Sequence, residues 1–461
     1  MRRRRGGLLW HRDFQRLWFG DTVSQLGTQV TVIALPLVAV KTLGASTFEV
    51  GILVSLLTAA FLLAGLPAGA WVDRMRRRPV MIAADVARAV LLASLPVAAA
   101  LGVLSIYQLY LLALLHGVCT VFFDVAYQSY LPALVGRAAL VEGNAKLQAS
   151  ESVAQVAGPA LGGFLVQAFT APYAVIADAA SFLVSAGSLR AIKMAEPQVP
   201  RAQRPHFRRE IAEGMRFVLG HPILRMIAGC TGTFNFFSSA LQAVVVVFLV
   251  RQVGISPGVI GVLFSAGSAG AIVGALTASI AARRLGTARA IWLPITITAP
   301  TGLLMALTFP GAGLALFAAG WFGLSLSGVV YNVNQVSYRQ ALCPPQLLGR
   351  MNATMRFLVW GTMPLGGLTG GALGTWLGNR AAMWIILTGQ ALSVVWLLVS
   401  PLRSARELPL AGEELGSAPG PGRPDPATTR GAAGREPGSG TGPHRPGSAT
   451  APETAGERPR M

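Results

Sequence analysis

Long apolar runs alternate along this chain with short polar breaks. Each run is close to the roughly 20 residues that an α-helix needs to cross a bilayer. They fall at about 16–41, 48–72, 79–101, 105–127, 145–169 and 172–192, and then, beyond a polar stretch, at about 222–250, 257–282, 288–309, 313–337, 354–377 and 381–400. The pattern predicts an all-α membrane protein with roughly twelve transmembrane helices. Four segments follow from it: a six-helix bundle over 1–192, a cytoplasmic linker over 193–221, a second six-helix bundle over 222–402, and a tail over 403–461.

The charges test this count. One set of breaks holds Arg2 to Arg5, Arg74 with Arg76, Arg77 and Arg78, Arg137, Arg201 to Arg209, Arg283 with Arg284 and Arg289, Arg339 with Arg350, and Arg403. The other set holds little beyond Lys41, Arg251 and Arg380. The two sets alternate break by break, which a missed or invented span would spoil. Positive charge gathers on the cytoplasmic side, so both termini and the long middle loop are expected there. The apolar run behind the N-terminal arginines is too long and too polar for a cleaved signal segment and is expected to be the first span.

A shift of 208 residues lays the chain onto itself. Tyr130 meets Tyr338, Asn144-Ala145 meets Asn352-Ala353, and Gly158, Gly162 and Gly163 meet Gly366, Gly370 and Gly371. The match carries spans 4 and 5 onto spans 10 and 11 and implies two six-helix pseudo-repeats of the same orientation. Transporters built this way place their substrate site near the midplane, between the halves.

Composition agrees with this reading. Hydrophobic residues make up 53% of the chain and charged residues 12%, about half of what a water-soluble domain carries. The formal net charge of +19 lies in the loops, where the bilayer accounts for it, so no nucleic-acid partner is expected. Cys119, Cys230 and Cys343 form no disulfide pattern, and the histidines lack metal-ligand spacing. Neither a metal nor a cofactor is expected, and no catalytic constellation points to an enzyme. Residues 411–461 are rich in Gly, Pro, Ser, Thr and Arg, a composition expected to stay disordered.

Ionisable groups inside a membrane are costly and mark function by default. The first half holds Asp21, Asp85 with Arg88, Asp124, Glu151 and Asp178, whereas no Asp or Glu occurs between Glu213 and Glu407. A proton-coupling carboxylate therefore belongs to the first half, with Glu151, Asp21, Asp124 and Asp178 as candidates. Glu151 and Asp21 are the first choices. Each has a structural alternative: Asp21 near the cytoplasmic edge is partly hydrated, and Asp124 is placed to meet a loop arginine. Asp85 and Arg88, three residues apart on one helical face, read as a structural ion pair. Gln25 and Gln29 on span 1, Asn235, Phe236 and Gln242 on span 7, and Tyr331, Asn332 and Gln335 on span 10 are candidates for lining a substrate cavity. Such amides also bond between packed helices. Gly65 with Gly69, Gly158 with Gly162, and Gly270 with Gly274 are spaced for close helix contact.

The break after span 2 runs from Gly69 through Asp73 and Arg74 to Arg76, Arg77 and Arg78. It resembles the signature loop of the major facilitator superfamily, although Arg76 stands where that family usually has Gly. The resemblance implies the major facilitator fold and a cytoplasmic gate held and released through Gly69, Asp73, Arg74 and Arg77. Gly158-Pro159 with Gly162 and Gly163 resembles the second half of the antiporter motif of drug exporters; Ala145 and Ala154 replace its upstream glycines. Asp178 to Phe182, Glu213 to Phe217 and Leu348 to Asn352 are similar to one branch, which holds macrolide and tetracycline pumps and the enterobactin exporter. The resemblance implies a monomeric plasma-membrane exporter of small amphipathic compounds, working by proton antiport and alternating access. A siderophore exporter, or an importer or facilitator of a small metabolite, is the alternative on the same fold.

Overall fold

The computed structural model describes residues 8–72, 74–136, 139–194, 207–343 and 347–403. The expected tail beyond Arg403, and residues 195–206 of the expected linker, lie outside the described residues. Among the described residues every regular element is helical.

The first half comprises α1 (Arg12–Leu37), α2 (Thr47–Val72), α3 (Arg77–Ala100), α4 (Ile106–Val135), α5 (Leu140–Phe169) and α6 (Ala171–Ala191). A shorter helix, α7 (Phe207–Gly220), precedes the second half. That half comprises α8 (Pro222–Val247), α9 (Pro257–Leu285), α10 (Arg289–Thr298) continued by a 3-10 segment Ala299–Leu307, α11 (Leu314–Leu342), α12 (Leu348–Trp360), α13 (Met363–Leu377), α14 (Asn379–Leu392) and α15 (Val395–Leu398). Eleven helical stretches among the described residues are long and apolar enough to cross a membrane.

The run expected as one span over 354–377 is divided into α12 and α13. Pro364 has no N–H to offer the Trp360 carbonyl, so the ladder breaks there. It restarts where the Gly366 N–H donates to the Thr362 carbonyl at 3.0 Å. The Thr362 hydroxyl lies 2.9 Å from the carbonyls of both Val359 and Gly232, which satisfies the break and ties it to α8.

The two halves pack by one plan. In the first, α1 rests on α5 and α6 while α2 rests on α4; in the second, α8 rests on α13 and α14 while α9 rests on α11. Glycines set the closest approaches. Gly158 and Gly162 face Gln29 and Val30 of α1; Gly366 and Gly370, one repeat later, face Phe236 and Ala240 of α8. Gly270 and Gly274 face Phe322 and Leu326 of α11. Gly65 departs from the helix-contact expectation, because open space surrounds its Cα. Its absent side chain keeps a cavity wall clear instead.

The buried apolar side chains divide unequally along the helices. At the end that carries Lys41, Arg251 and Arg380, one core runs through both halves, from Leu37 and Val50 to Val247 and Ile260. At the opposite, arginine-rich end there are two separate cores, one around Phe14, Met81 and Tyr130, the other around Leu224, Ile291 and Met351. The halves are thus joined at the arginine-poor end and parted at the other. Helix α7 belongs to the second half's core: Arg350 of α12 donates to Glu213, and Gly214 lies against the Arg350 carbonyl.

Candidate functional site

A cavity of about 980 Å³ fills the space between the halves. Helices α2 and α4 of the first half and α8, α11 and α12 of the second supply its walls. Its lining runs from Phe61, Phe234 and Gly361, near mid-depth, to Gln340 and Asn352 at the arginine-rich end. It therefore reaches towards the end at which the cores are parted.

The opposite end is sealed by contacts between the halves. Arg251 donates to the carbonyls of Gly44 and Ala45 at 3.0 and 2.6 Å. The Gly258 N–H donates to Gln167 Oε1 at 3.1 Å, and the Thr47 hydroxyl to Asn379 Oδ1 at 2.9 Å. Below them two glycine seams bring backbones together: Gly163 of α5 against Gly261 of α9, and Gly371 of α13 against Gly51 of α2. Only residues without a Cβ permit so close an approach.

Of the four candidate coupling acids, only Asp124 lines this cavity. It makes no ion pair with a loop arginine among the described residues; the charges that bear on it are those of Arg88, Arg356 and Glu151. Asp21 is buried rather than hydrated at an edge, and Gln25 hydrogen-bonds to it. Glu151 is half-buried and accepts from the amides of Gln148 and Gln155 at 3.2 and 3.1 Å. The charges of Asp21, Asp124 and Glu151, from three helices, all act on Tyr127. Asp178 stands apart. It is fully buried and accepts hydrogen bonds from Thr31 of α1 and from Ser181 at 3.0 Å, an arrangement that fastens α6 to α1.

Asp85 and Arg88 form a buried ion pair. The Arg88 guanidinium lies over the rings of Phe123 and Phe182, 4.5 and 4.1 Å from their centroids. This pair is enclosed in the first half, away from the cavity lining.

The eight candidate lining residues separate into two groups. Asn235, Tyr331, Asn332 and Gln335 line the cavity. Tyr331 shares a 2.6 Å hydrogen bond with Thr231, and the Gln335 amide donates to Asn332 Oδ1 at 2.9 Å. Gln25, Gln29, Phe236 and Gln242 do not line it. Gln25 is engaged with Asp21 and Gln29 is pressed against Gly158. Phe236 turns its carbonyl to Gly366 and its ring to Phe237, and Gln242 is exposed outside the lining. Rotation about the helix axis, which the sequence pattern does not specify on a helix polar on more than one side, makes the difference.

The lining also includes Gln128, Arg356 and Trp360, which the residue pattern did not single out, and Arg339, which was expected in a cytoplasmic break but lies within α11. For Arg356 a signal existed: it is an ionisable residue inside an expected span. At the expected gate loop, Gly69 sits in the last turns of α2, Arg74 is exposed, and half-buried Arg77 opens α3. Asp73 and the surroundings of Gly69 lie outside the described residues.

Comparison with known proteins adds to this geometry. The sequence pattern of the Major Facilitator Superfamily matches residues 17–245 and again residues 228–438. The multidrug efflux pump Tap of Mycolicibacterium fortuitum is 27% identical over 411 residues, covering 86% of this chain and 97% of the pump. The enterobactin exporter EntS of Shigella boydii serotype 18 is 26% identical over 401 residues, covering 84% of this chain and 90% of the exporter. The crystal structure of a bacterial homologue of the iron transporter ferroportin, in an inward-facing state, superimposes with a TM-score of 0.69 at 16% identity, covering 84% of this chain and 98% of that one. At that identity the likeness speaks for the fold.

Proposed function

The chain belongs to the Major Facilitator Superfamily and is a multi-pass membrane transporter, and we propose that it exports small amphipathic compounds across the plasma membrane by proton antiport. The arginine-rich end is taken as cytoplasmic, by the preference of positive charge for that side. In this reading the structure is the inward-facing state. Substrate enters the cavity from the cytoplasm or inner leaflet, the halves rock, and the glycine seams part to release it outside.

One observation carries the coupling part: Asp124 is the carboxylate on the cavity wall, within electrostatic reach of Asp21 and Glu151. A proton taken from outside would neutralise the cluster and bias the switch. Its inward passage gains about 2.3 kcal/mol per 100 mV of membrane potential. The relatives that are efflux pumps support the outward direction.

Efflux of a dye and antibiotic panel from cells expressing the protein, with and without a protonophore, tests this reading. Asp124→Asn, Glu151→Gln and Asp21→Asn are run alongside. The expected result is efflux that collapses with the protonophore and with Asp124→Asn, while one of the other two substitutions leaves part of it. Efflux that survives both treatments would overturn proton coupling. Protein-dependent uptake in place of efflux would favour the importer reading.

A further inference from the structure

The cavity carries more positive than negative charge. Its lining contains two cations, Arg339 and Arg356, against one acid, Asp124. Both cations come from the second half, which supplies no Asp or Glu between Glu213 and Glu407. Neither guanidinium has a carboxylate within ion-pair distance among the described residues. The Nε of Arg339 is buried with no hydrogen-bond partner there, and so is Gln335 Oε1, one helical turn away on the same wall. A cation on a cavity wall without its own counter-ion is free to pair with an anionic ligand that enters the cavity.

Aromatic rings stand beside these cations. The Arg356 guanidinium lies 5.1 Å from the Trp360 ring centroid, and Phe61 of α2 meets Trp360 edge-on at 5.3 Å. A planar guanidinium held over a ring presents its N–H groups as a fork, which suits a carboxylate or phenolate. The rings offer a surface for an apolar or aromatic body beside it.

Resting on the export reading for its direction only, we propose that the cavity selects organic anions. An acidic group on an aromatic or apolar body would pair with Arg356 and Arg339, the two cations of the lining. On the same wall Gln335 Oε1, an acceptor without a partner there, would take a hydroxyl or N–H of the same ligand.

The test is binding to the purified full-length protein in detergent, read by fluorescence polarisation with two dyes of one ring system. Carboxyfluorescein is anionic and tetramethylrhodamine methyl ester is cationic. The wild type is expected to bind carboxyfluorescein at least tenfold more tightly, about the effect of one charge-assisted hydrogen bond. Arg356→Gln and Arg339→Gln should each remove most of that preference, and Arg356→Lys should keep part of it. Equal or tighter binding of the cation overturns the proposal. So does binding of neither dye, or anion binding that the Arg→Gln changes leave untouched in monodisperse protein. Anion preference without outward movement of carboxyfluorescein in proteoliposomes would instead count against the export reading alone.

Discussion

A Cβ built on Gly163 of α5 would come 3.0 Å from the Cα of Gly261 on α9; one built on Gly371 of α13 would come 3.0 Å from the Cα of Gly51 on α2. Gly163 and Gly371 are one repeat apart in sequence. The two halves therefore close the arginine-poor end with the same device used twice, each half lending its fifth span to the second span of the other.

Alanine at either glycine is expected to hold this seam apart. Overpacking costs on the order of 1–3 kcal/mol, which moves an equilibrium between closed and open forms by roughly tenfold or more. The measurement is the rate at which a membrane-impermeant maleimide labels Thr47→Cys, a buried seam position, in protein lacking its three native cysteines. Gly163→Ala and Gly371→Ala should each speed labelling about tenfold. Gly65→Ala, where open space surrounds the Cα, should leave it unchanged. Equal rates in all three would remove the seam from the gating account.

Arg251 secures the same end by a different means. Its guanidinium bridges the halves through two carbonyls, those of Gly44 and Ala45. Arg251→Gln should also speed labelling of Thr47→Cys, by a smaller factor than Gly163→Ala, because its side chain is exposed and water replaces the lost bonds. Raised salt should change the rate little, since the acceptors are uncharged carbonyls. A strong salt dependence would point to an anionic partner for Arg251 instead.

The span pattern, the alternation of arginines and the repeat were legible in the sequence because they depend on hydropathy and on residue identity at fixed spacing. The direction in which a helix turns its polar residues was not. Gln29 and Asn332 look alike as membrane amides, yet one packs on Gly158 and the other lines the cavity. Arg356 was overlooked for a related reason. With a continuous helix over 354–377 it reads as a charge at the membrane edge. The helix instead breaks ahead of Pro364, and Arg356 on α12 is part of the cavity wall.

The repeat extends to backbone conformation at one position it had not marked. Thr170 and Gly378 are 208 residues apart, and each forms the corner between the fifth and sixth spans of its half, with φ of 66° and 83° and ψ of 161° and 151°. That region is open to glycine and strained for a β-branched residue, by about 1–3 kcal/mol. Thr170→Gly removes the strain and returns roughly 0.5–1 kcal/mol as unfolded-state entropy. A net gain of about 1 kcal/mol is expected, seen as a higher midpoint of thermal unfolding in detergent. Gly378→Thr should lower the midpoint. A destabilising Thr170→Gly would show that the threonine side chain contributes more than its backbone costs.

Asp85 and Arg88 allow the electrostatics of the first half to be separated from its transport chemistry. Both are buried, and their pairing is incomplete: Asp85 Oδ2 and Arg88 Nε have no hydrogen-bond partner among the described residues. Removing the acid alone leaves a cation enclosed between Phe123 and Phe182, and breaking a buried pair in this way costs about 3–5 kcal/mol. Removing both charges takes away the desolvation penalty as well. Asp85→Leu is therefore expected to lower the thermal midpoint strongly, and Asp85→Leu with Arg88→Met to recover most of the loss. If the double variant folds and still exports with protonophore sensitivity, the pair is structural, and the coupling acid lies elsewhere, among Asp21, Asp124, Glu151 and Asp178. If it folds and no longer exports, the Asp85–Arg88 pair has a part in the cycle beyond holding α3 to α4 and α6.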